Sequence, residues 1–360
     1  MRRIVLILAS IICVLSLYAQ DARLAHPFLW KTYYNPAYAG TENIITLDAG
    51  VQTSFTYKPS LFVNSQFAVT VPFNIGKSDW GIGLKAGNDY EGYGLVNTAN
   101  ISVPISIHFR VGRSTMLQFG VEPDVYSRYI NKSKLVFGDQ MDNYYGKVRD
   151  ESGELRNIVS ENLWSFDLSL GVYGISVLNK DRYYRPIYIE YGFSVFHVLG
   201  ANNQSFFTQN GNKLFDPNIY YRRFSVQLEY NHPIGITKNH NSFIYLTGYG
   251  IYEFQQRMHD IQFGVCVSQS KIGWIGFGFK VERYNTFTLS DVMIHIGGRI
   301  PIKGDENIMS IAYTFEMPLT QGNVWETSIH SLSLHFALDA LSGKTKFACP
   351  APKKYINRGW

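Results

Sequence analysis

Trp164-Ser165-Phe166-Asp167-Leu168-Ser169-Leu170-Gly171-Val172-Tyr173 alternates without a break. In an extended chain successive side chains point to opposite faces. Trp164, Phe166, Leu168, Leu170 and Val172 therefore form an apolar wall, and Ser165, Asp167, Ser169, Gly171 and Tyr173 a polar one. Roughly ten residues is the length a tilted strand needs to cross a bilayer's hydrocarbon layer. The pattern returns at Phe224, Val226, Leu228 and Tyr230 against Ser225, Gln227, Glu229 and Asn231. It returns again at Ile275, Phe277, Phe279 and Val281 against Gly276, Gly278, Lys280 and Glu282. These stretches read as staves of a transmembrane β-barrel.

Composition fits that reading. The 360 residues are 46% hydrophobic and 15% aromatic, with 25 Tyr and 24 Phe, yet mean hydropathy is near zero. Helical membrane proteins are not built this way, whereas strands that are half polar are. A soluble β-sandwich or propeller also alternates and stays open on composition alone. Net charge is +5, about +3 without Arg2 and Arg3, and the basic residues form no stripe, which excludes a nucleic-acid footprint. Cys13, Cys266 and Cys349 form no spaced set, and a Cys266–Cys349 disulfide is disfavoured because one partner lies in a strand.

Residues 1–19 have the form of a signal peptide, with Arg2 and Arg3, an apolar run from Ile4 to Leu17, and Leu17-Tyr18-Ala19 before Gln20. Export follows. Residues 20–43 are not strand-like. Asn35-Pro36 biases the backbone away from helix, and Gly40 permits a positive φ. This segment is either a linker or a plug folded into the lumen. Residues 44–338 contain about fourteen strand-like runs, an even number suited to a closed barrel. If the first strand runs outward, the longest breaks, about 131–162, 200–219 and 319–327, all follow odd-numbered strands. Most connections after even-numbered strands are short. Long extracellular loops over short periplasmic turns are the asymmetry of outer-membrane barrels, and a soluble sandwich has no reason to show it. Residues 339–360, with Cys349-Pro350-Ala351-Pro352, form a periplasmic tail, either unstructured or a docking peptide. Aromatics at strand ends, among them Trp80, Tyr90, Tyr126, Tyr129 and Tyr221, suit interfacial belts.

Several motifs together resemble the PorP/SprF family of outer-membrane proteins of the type IX secretion system. They are Asn35-Pro36-Ala37-Tyr38-Ala39-Gly40, the run Lys134 to Asp142 (KLVFGDQMD), Phe166 to Gly171, Phe193 to Leu199, and Asn202-Asn203-Gln204-Ser205-Phe206. Together they cover nearly the whole mature chain. The aromatic-rich approach Ala25 to Tyr34, and the tail after Phe336-Ala337-Leu338, depart from the family pattern. The resemblance implies a non-enzymatic protein with no cofactor. Its partners would be type IX secretion components, outer-membrane lipid and a secreted cargo protein with a C-terminal sorting domain. The task would be to secrete such a cargo or to anchor it at the cell surface, gliding adhesins being one example.

Candidate partner-binding residues are Phe137, Asp139 and Asp142 in the first long loop, and Asn203, Gln204, Phe206 and Phe207 in the second. A transporter for hydrophobic small molecules is the alternative, but it needs an apolar lumen, and the inward faces are rich in Ser, Glu, Lys and Gly. A hydrolase built on His240 and Ser242 would need adjacent residues to form a catalytic geometry they cannot reach. The histidines show no metal-ligand spacing, and His330 and His335 fall on opposite walls. The acidic residues of the first loop lack EF-hand spacing. Asp167, Glu229, Lys280, Glu282 and Glu316 read as lumenal charges, paired across neighbouring strands in a wet interior.

Overall fold

The structure, a computed structural model, describes residues 24, 29–54, 62–76, 78–91, 96–112, 114–142, 146–147, 152–153, 162–178, 186–200, 208–209, 212–213, 221–236, 243–269, 271–283, 286–303, 307–319 and 328–338. Fourteen antiparallel strands close into one barrel. They are β1 (Ile45–Ser54), β2 (Phe62–Ile75), β3 (Ser78–Glu91), β4 (Val96–Ser102 continued by Ile105–Val111), β5 (Thr115–Ile130), β6 (Asn162–Val177) and β7 (Tyr188–Phe196). Then follow β8 (Arg223–Ile236), β9 (Phe243–Gln255), β10 (Met258–Gln269), β11 (Gly273–Arg283), β12 (Phe287–Lys303), β13 (Asn307–Pro318) and β14 (Ile329–Leu338). Each strand pairs with its sequence neighbours. The ring closes between β1 and β14, in register from Ile45 opposite Leu338 to Ser54 opposite Ile329. Closure removes the unpaired strand edges that lipid could not satisfy.

The fourth run, read as one strand over 94–110, is interrupted at Val103-Pro104. Pro104 has no N–H to give the ladder. The Val103 N–H bonds the Pro123 carbonyl and the Pro104 carbonyl accepts from Gly83, so both neighbouring strands stay joined across the break. Register also shifts at Pro233/Gly235 and Pro301/Lys303, where proline again falls at a bulge.

Burial is inverted relative to a soluble protein. Phe166 is 74% exposed and Trp164, Ile275, Leu228 and Val226 are also exposed, whereas Asp167, Ser169, Ser225, Asn231 and Lys280 are buried. The alternation read from the three quoted stretches is thus realised, with apolar residues outward and polar residues inward. An outward band of this kind is stable only against an apolar solvent, so the barrel is a transmembrane one. The two longest connections, 131–161 and 197–222, join strand ends at one rim, as expected, but 178–187 at the other rim is as long as 319–328, because β6 ends at Val177 and β7 starts only at Tyr188. His330 contacts the outward Tyr313 and Phe315, and His335 faces the lumen beside Asp48, on opposite walls as the spacing requires.

The interior is not simply wet. Residues 29–43 lie inside the barrel, as a one-turn helix α1 (Lys31–Tyr34) followed by a 3₁₀ turn over Pro36–Tyr38. Trp30, Thr32, Tyr34, Asn35, Ala37, Ala39 and Thr41 are each 3% exposed or less. The signal-peptide residues 1–19 and the tail 339–360 lie outside the described residues.

Candidate functional site

The lumenal site is built on Asn35-Pro36-Ala37-Tyr38-Ala39-Gly40. Asn35 is extended (φ −156°, ψ 116°), as a residue before proline prefers, and its side chain accepts from the Ala37 N–H at 3.0 Å. The same amide's nitrogen donates to the Val172 carbonyl at 2.9 Å and to Gln227 Oε1 at 3.1 Å. One side chain therefore caps its own turn and ties it to β6 and β8. The Tyr34 carbonyl accepts from Ser194 Oγ and Gln227 Nε2, and the Ala39 carbonyl from Ser106 Oγ. Gly40 takes φ +68°, the positive value expected for it.

Glycines of the wall make the room. A Cβ on Gly120 would lie 2.6 Å from the Pro36 carbonyl carbon, and one on Gly81 would lie 2.8 Å from the Gly40 nitrogen. A Cβ on Gly171 would lie 2.9 Å from Pro36 Cδ, and one on Gly192 would lie 2.7 Å from Asn35 Nδ2. On β1, Gly50 leaves space for the Trp30 ring, whose Nε1 donates to Ser333 Oγ of β14 at 2.8 Å. The small Ala37 and Ala39 press against these glycines. Tyr38 meets the Tyr173 ring edge-on, with centroids 5.2 Å apart.

Charge completes the attachment. Lys31 Nζ lies 2.6 Å from Glu190 and 3.1 Å from Glu229. Burial disfavours its charge, but the two carboxylates outweigh that and hold the ammonium's pKa above the usual lysine value. Glu42 faces His335 at 3.5 Å, and His335 bonds Asp48 at 2.6 Å. Burial alone would raise the Glu42 carboxyl, but His335 and Lys31 lower it below its usual value. Glu229 therefore pairs with the inner segment and not across neighbouring strands. Asp167 of β6 does pair towards its neighbouring strand, with His197 just beyond the end of β7 at 2.9 Å. Lys280 also sits among strand neighbours, with Asp260 of β10 at 3.8 Å and Asp291 of β12 at 4.0 Å. Ion pairs thus run through the interior, several of them between the wall and the inner segment.

Between the inner segment and the wall lies a cavity of about 80 Å³, lined in part by Lys31, Glu42, Asp48, Glu229, Arg299 and His335. Among the described residues no group of three or more His, Cys, Asp or Glu is placed to hold a metal ion.

The loop candidates fare unevenly. Phe137 is half-buried and its N–H donates to Gln140 Oε1 at 2.9 Å. Asp139 accepts from Ser152 Oγ at 2.6 Å and the Gly153 N–H at 2.8 Å, so it folds this loop on itself. Asp142 falls in a two-residue strand, Met141–Asp142, paired with Gly146–Lys147. Asn203, Gln204, Phe206 and Phe207 lie outside the described residues, as do His240 and Ser242. Sequence reasoning missed Lys31, Glu42, Asp48 and Glu190, which make the ion pairs that hold the inner segment, together with Glu229 and His335. Their local context gives no sign that they meet.

Fold and interior together define a transmembrane β-barrel with part of its own chain bound within it. The family model for the type IX secretion system membrane protein PorP/SprF matches residues 16–336, and the chain belongs to that family. No curated protein matches it. Among solved structures it is similar to the β domain of the Bordetella autotransporter BrkA, with 10% identity, TM-score 0.44, and coverage of 82% of this chain and 98% of that one. It is also similar to the Ralstonia pickettii toluene transporter TbuX, with 12% identity, TM-score 0.46 and coverage of 85% and 92%. A Pseudomonas aeruginosa FadL homologue gives 10%, 0.43, 85% and 92%.

Proposed function

We propose that this protein is a non-enzymatic scaffold of the outer membrane. In this reading residues 20–43 plug the lumen, and the long loops of one rim hold a secreted protein during its export or at the cell surface. The observation that supports it is the seating of residues 29–43. The segment bonds or packs against β1, β4, β6–β9 and β14, so it occupies space that a small molecule crossing the barrel would need. The remaining cavity of about 80 Å³ mixes Leu29, Trp274 and Ile308 with Lys31, Glu42, Glu229 and Arg299, a lining too charged for a hydrocarbon. A barrel closed in this way presents its loops to partners on a rigid, lipid-anchored frame. The partner expected from the family is a cargo with a C-terminal sorting domain, together with other type IX secretion components.

The test is affinity purification from detergent-extracted outer membranes. A large secreted protein co-purifies with the full chain, and is lost when residues 139–153 or 201–219 are replaced by short Gly/Ser linkers. Undiminished recovery with both loops replaced would exclude the rim as the binding surface. Retention of fatty acid or hydrocarbon in the purified lumen would favour transport instead.

A further inference from the structure

On the outer wall, beside the rim of long connections, one row of directly paired residues crosses five strands. Phe224 of β8 stands opposite Phe254 of β9, Phe254 opposite His259 of β10, His259 opposite Arg283 of β11, and Arg283 opposite Phe287 of β12. Phe224 and Phe254 stack at 6.1 Å, and the His259 ring lies 4.7 Å from Phe254 and 6.0 Å from Phe287. The Tyr252 hydroxyl bonds His259 Nδ1 at 2.7 Å and fixes the ring. The Arg283 guanidinium sits 4.9 Å from the centre of the Phe287 ring.

This arginine is out of place in a lipid-facing wall. An arginine on the lipid face is most costly at mid-membrane and least costly near the interface. Arg283 is the last residue of β11, at the interface level. Among the described residues no carboxylate pairs with it, and the adjacent Glu282 is turned to the lumen, 3.1 Å from Lys280. An arginine stacked on an aromatic ring keeps its N–H fork free in the ring plane, the geometry that grips a phosphate. The flanking phenylalanines meanwhile offer apolar surface at the depth where acyl chains begin.

We infer that the Phe224–Phe254–His259–Arg283–Phe287 row is a binding site for a phosphate-bearing membrane lipid. Arg283 takes the headgroup phosphate, His259 flanks it, and the phenylalanines take the upper part of the chains. The site lies on the outside of the barrel and is independent of the loops proposed to hold cargo.

Native mass spectrometry of the detergent-purified protein, titrated with dioleoylphosphatidylglycerol, tests this. Dioleoylglycerol serves as the probe lacking phosphate, and inorganic phosphate as the probe lacking chains. Phosphatidylglycerol binds the wild type, and Arg283→Gln weakens it roughly fivefold to tenfold. Arg283→Lys loses less, and Lys271→Gln, at the opposite rim, loses nothing. Unchanged heat-modifiable mobility on gels shows that each variant remains a barrel. Equal binding to wild type and Arg283→Gln overturns the inference. So does dioleoylglycerol binding as tightly as phosphatidylglycerol, or complete displacement of the lipid by inorganic phosphate.

Discussion

Asn35 occupies the space that a side chain at Gly171 would need. The Asn35 amide oxygen and the Pro36 ring lie against the bare Gly171 backbone, with Pro36 Cδ 2.9 Å from where a Cβ would stand. The inner segment and the wall are thus shaped to each other, and small changes on either side are expected to separate them.

Gly171→Ala and Gly120→Ala each add one methyl group where none fits. Overpacking of this kind costs about 1–3 kcal/mol. The barrel stays folded, since neither glycine takes a positive φ, but the inner segment loosens. Trypsin cleavage after Lys31 in detergent should accelerate in both variants, and unchanged cleavage would show that the segment is held elsewhere.

Asn35→Ala removes the turn cap and the bonds to the Val172 carbonyl and Gln227 together. Buried groups left without partners cost about 1–3 kcal/mol each. Asn35→Asp is expected to be no better than alanine, because a carboxylate oxygen replaces a donor that faces two carbonyl oxygens, of Val172 and Phe193. Tryptic exposure of Lys31 again reports the outcome.

Lys31→Met leaves Glu190 and Glu229 confined without their cation, a loss of about 3–5 kcal/mol for a buried pair with one partner removed. Hydrogen exchange across residues 29–43 should rise, and Lys31→Arg should recover part of the protection.

The same contacts give the segment's attachment a pH window. Lys31 has a raised pKa when seated, so its contribution is complete below the free-lysine value of about 10.4 and is lost as pH rises through the seated value. Glu42 has a lowered pKa, so its contribution is present above the free-glutamate value of about 4.3 and is lost as pH falls through the seated value. Protection of the Glu42 region, taken relative to the intrinsic exchange rate at each pH, is therefore highest near neutrality and lower at both extremes. Glu42→Gln is expected to flatten the acid side alone.

Asp167→Asn should loosen the start of the second long connection. Asp167 accepts from His197 Nδ1 at 2.9 Å and from the Leu199 N–H at 3.1 Å, and His197 is held at φ +58°. Losing this pair costs about 1–3 kcal/mol locally. Proteolysis within residues 200–220 should become faster while the barrel's mobility on gels is unchanged.

Much of this was legible in the chain. Period-two alternation placed Phe166 outward and Asp167 inward, and counting such runs gave the fourteen strands with their two longest connections at one rim. It also placed His330 and His335 on opposite walls. Alternation names the wall a residue faces, but not what stands across the lumen. Glu229 read as lumenal filler because nothing local to it points to Lys31, which meets it only after the ring has closed. The wall glycines were equally silent, because a glycine in a strand reads as a weak position until its opposite number is known. The split of β4 at Pro104 was missed because apolar and polar residues continue to alternate on both sides of it.

The Trp30–Ser333 bond joins positions 303 residues apart, across the seam where the first strand meets the last. A chain made from its N-terminus cannot form that link until nearly all of it exists. This attachment of the inner segment thus forms late, although the segment itself is made early. Until then its aromatic face needs shelter, and correct insertion can be followed by asking when Trp30 stops being reachable from solution.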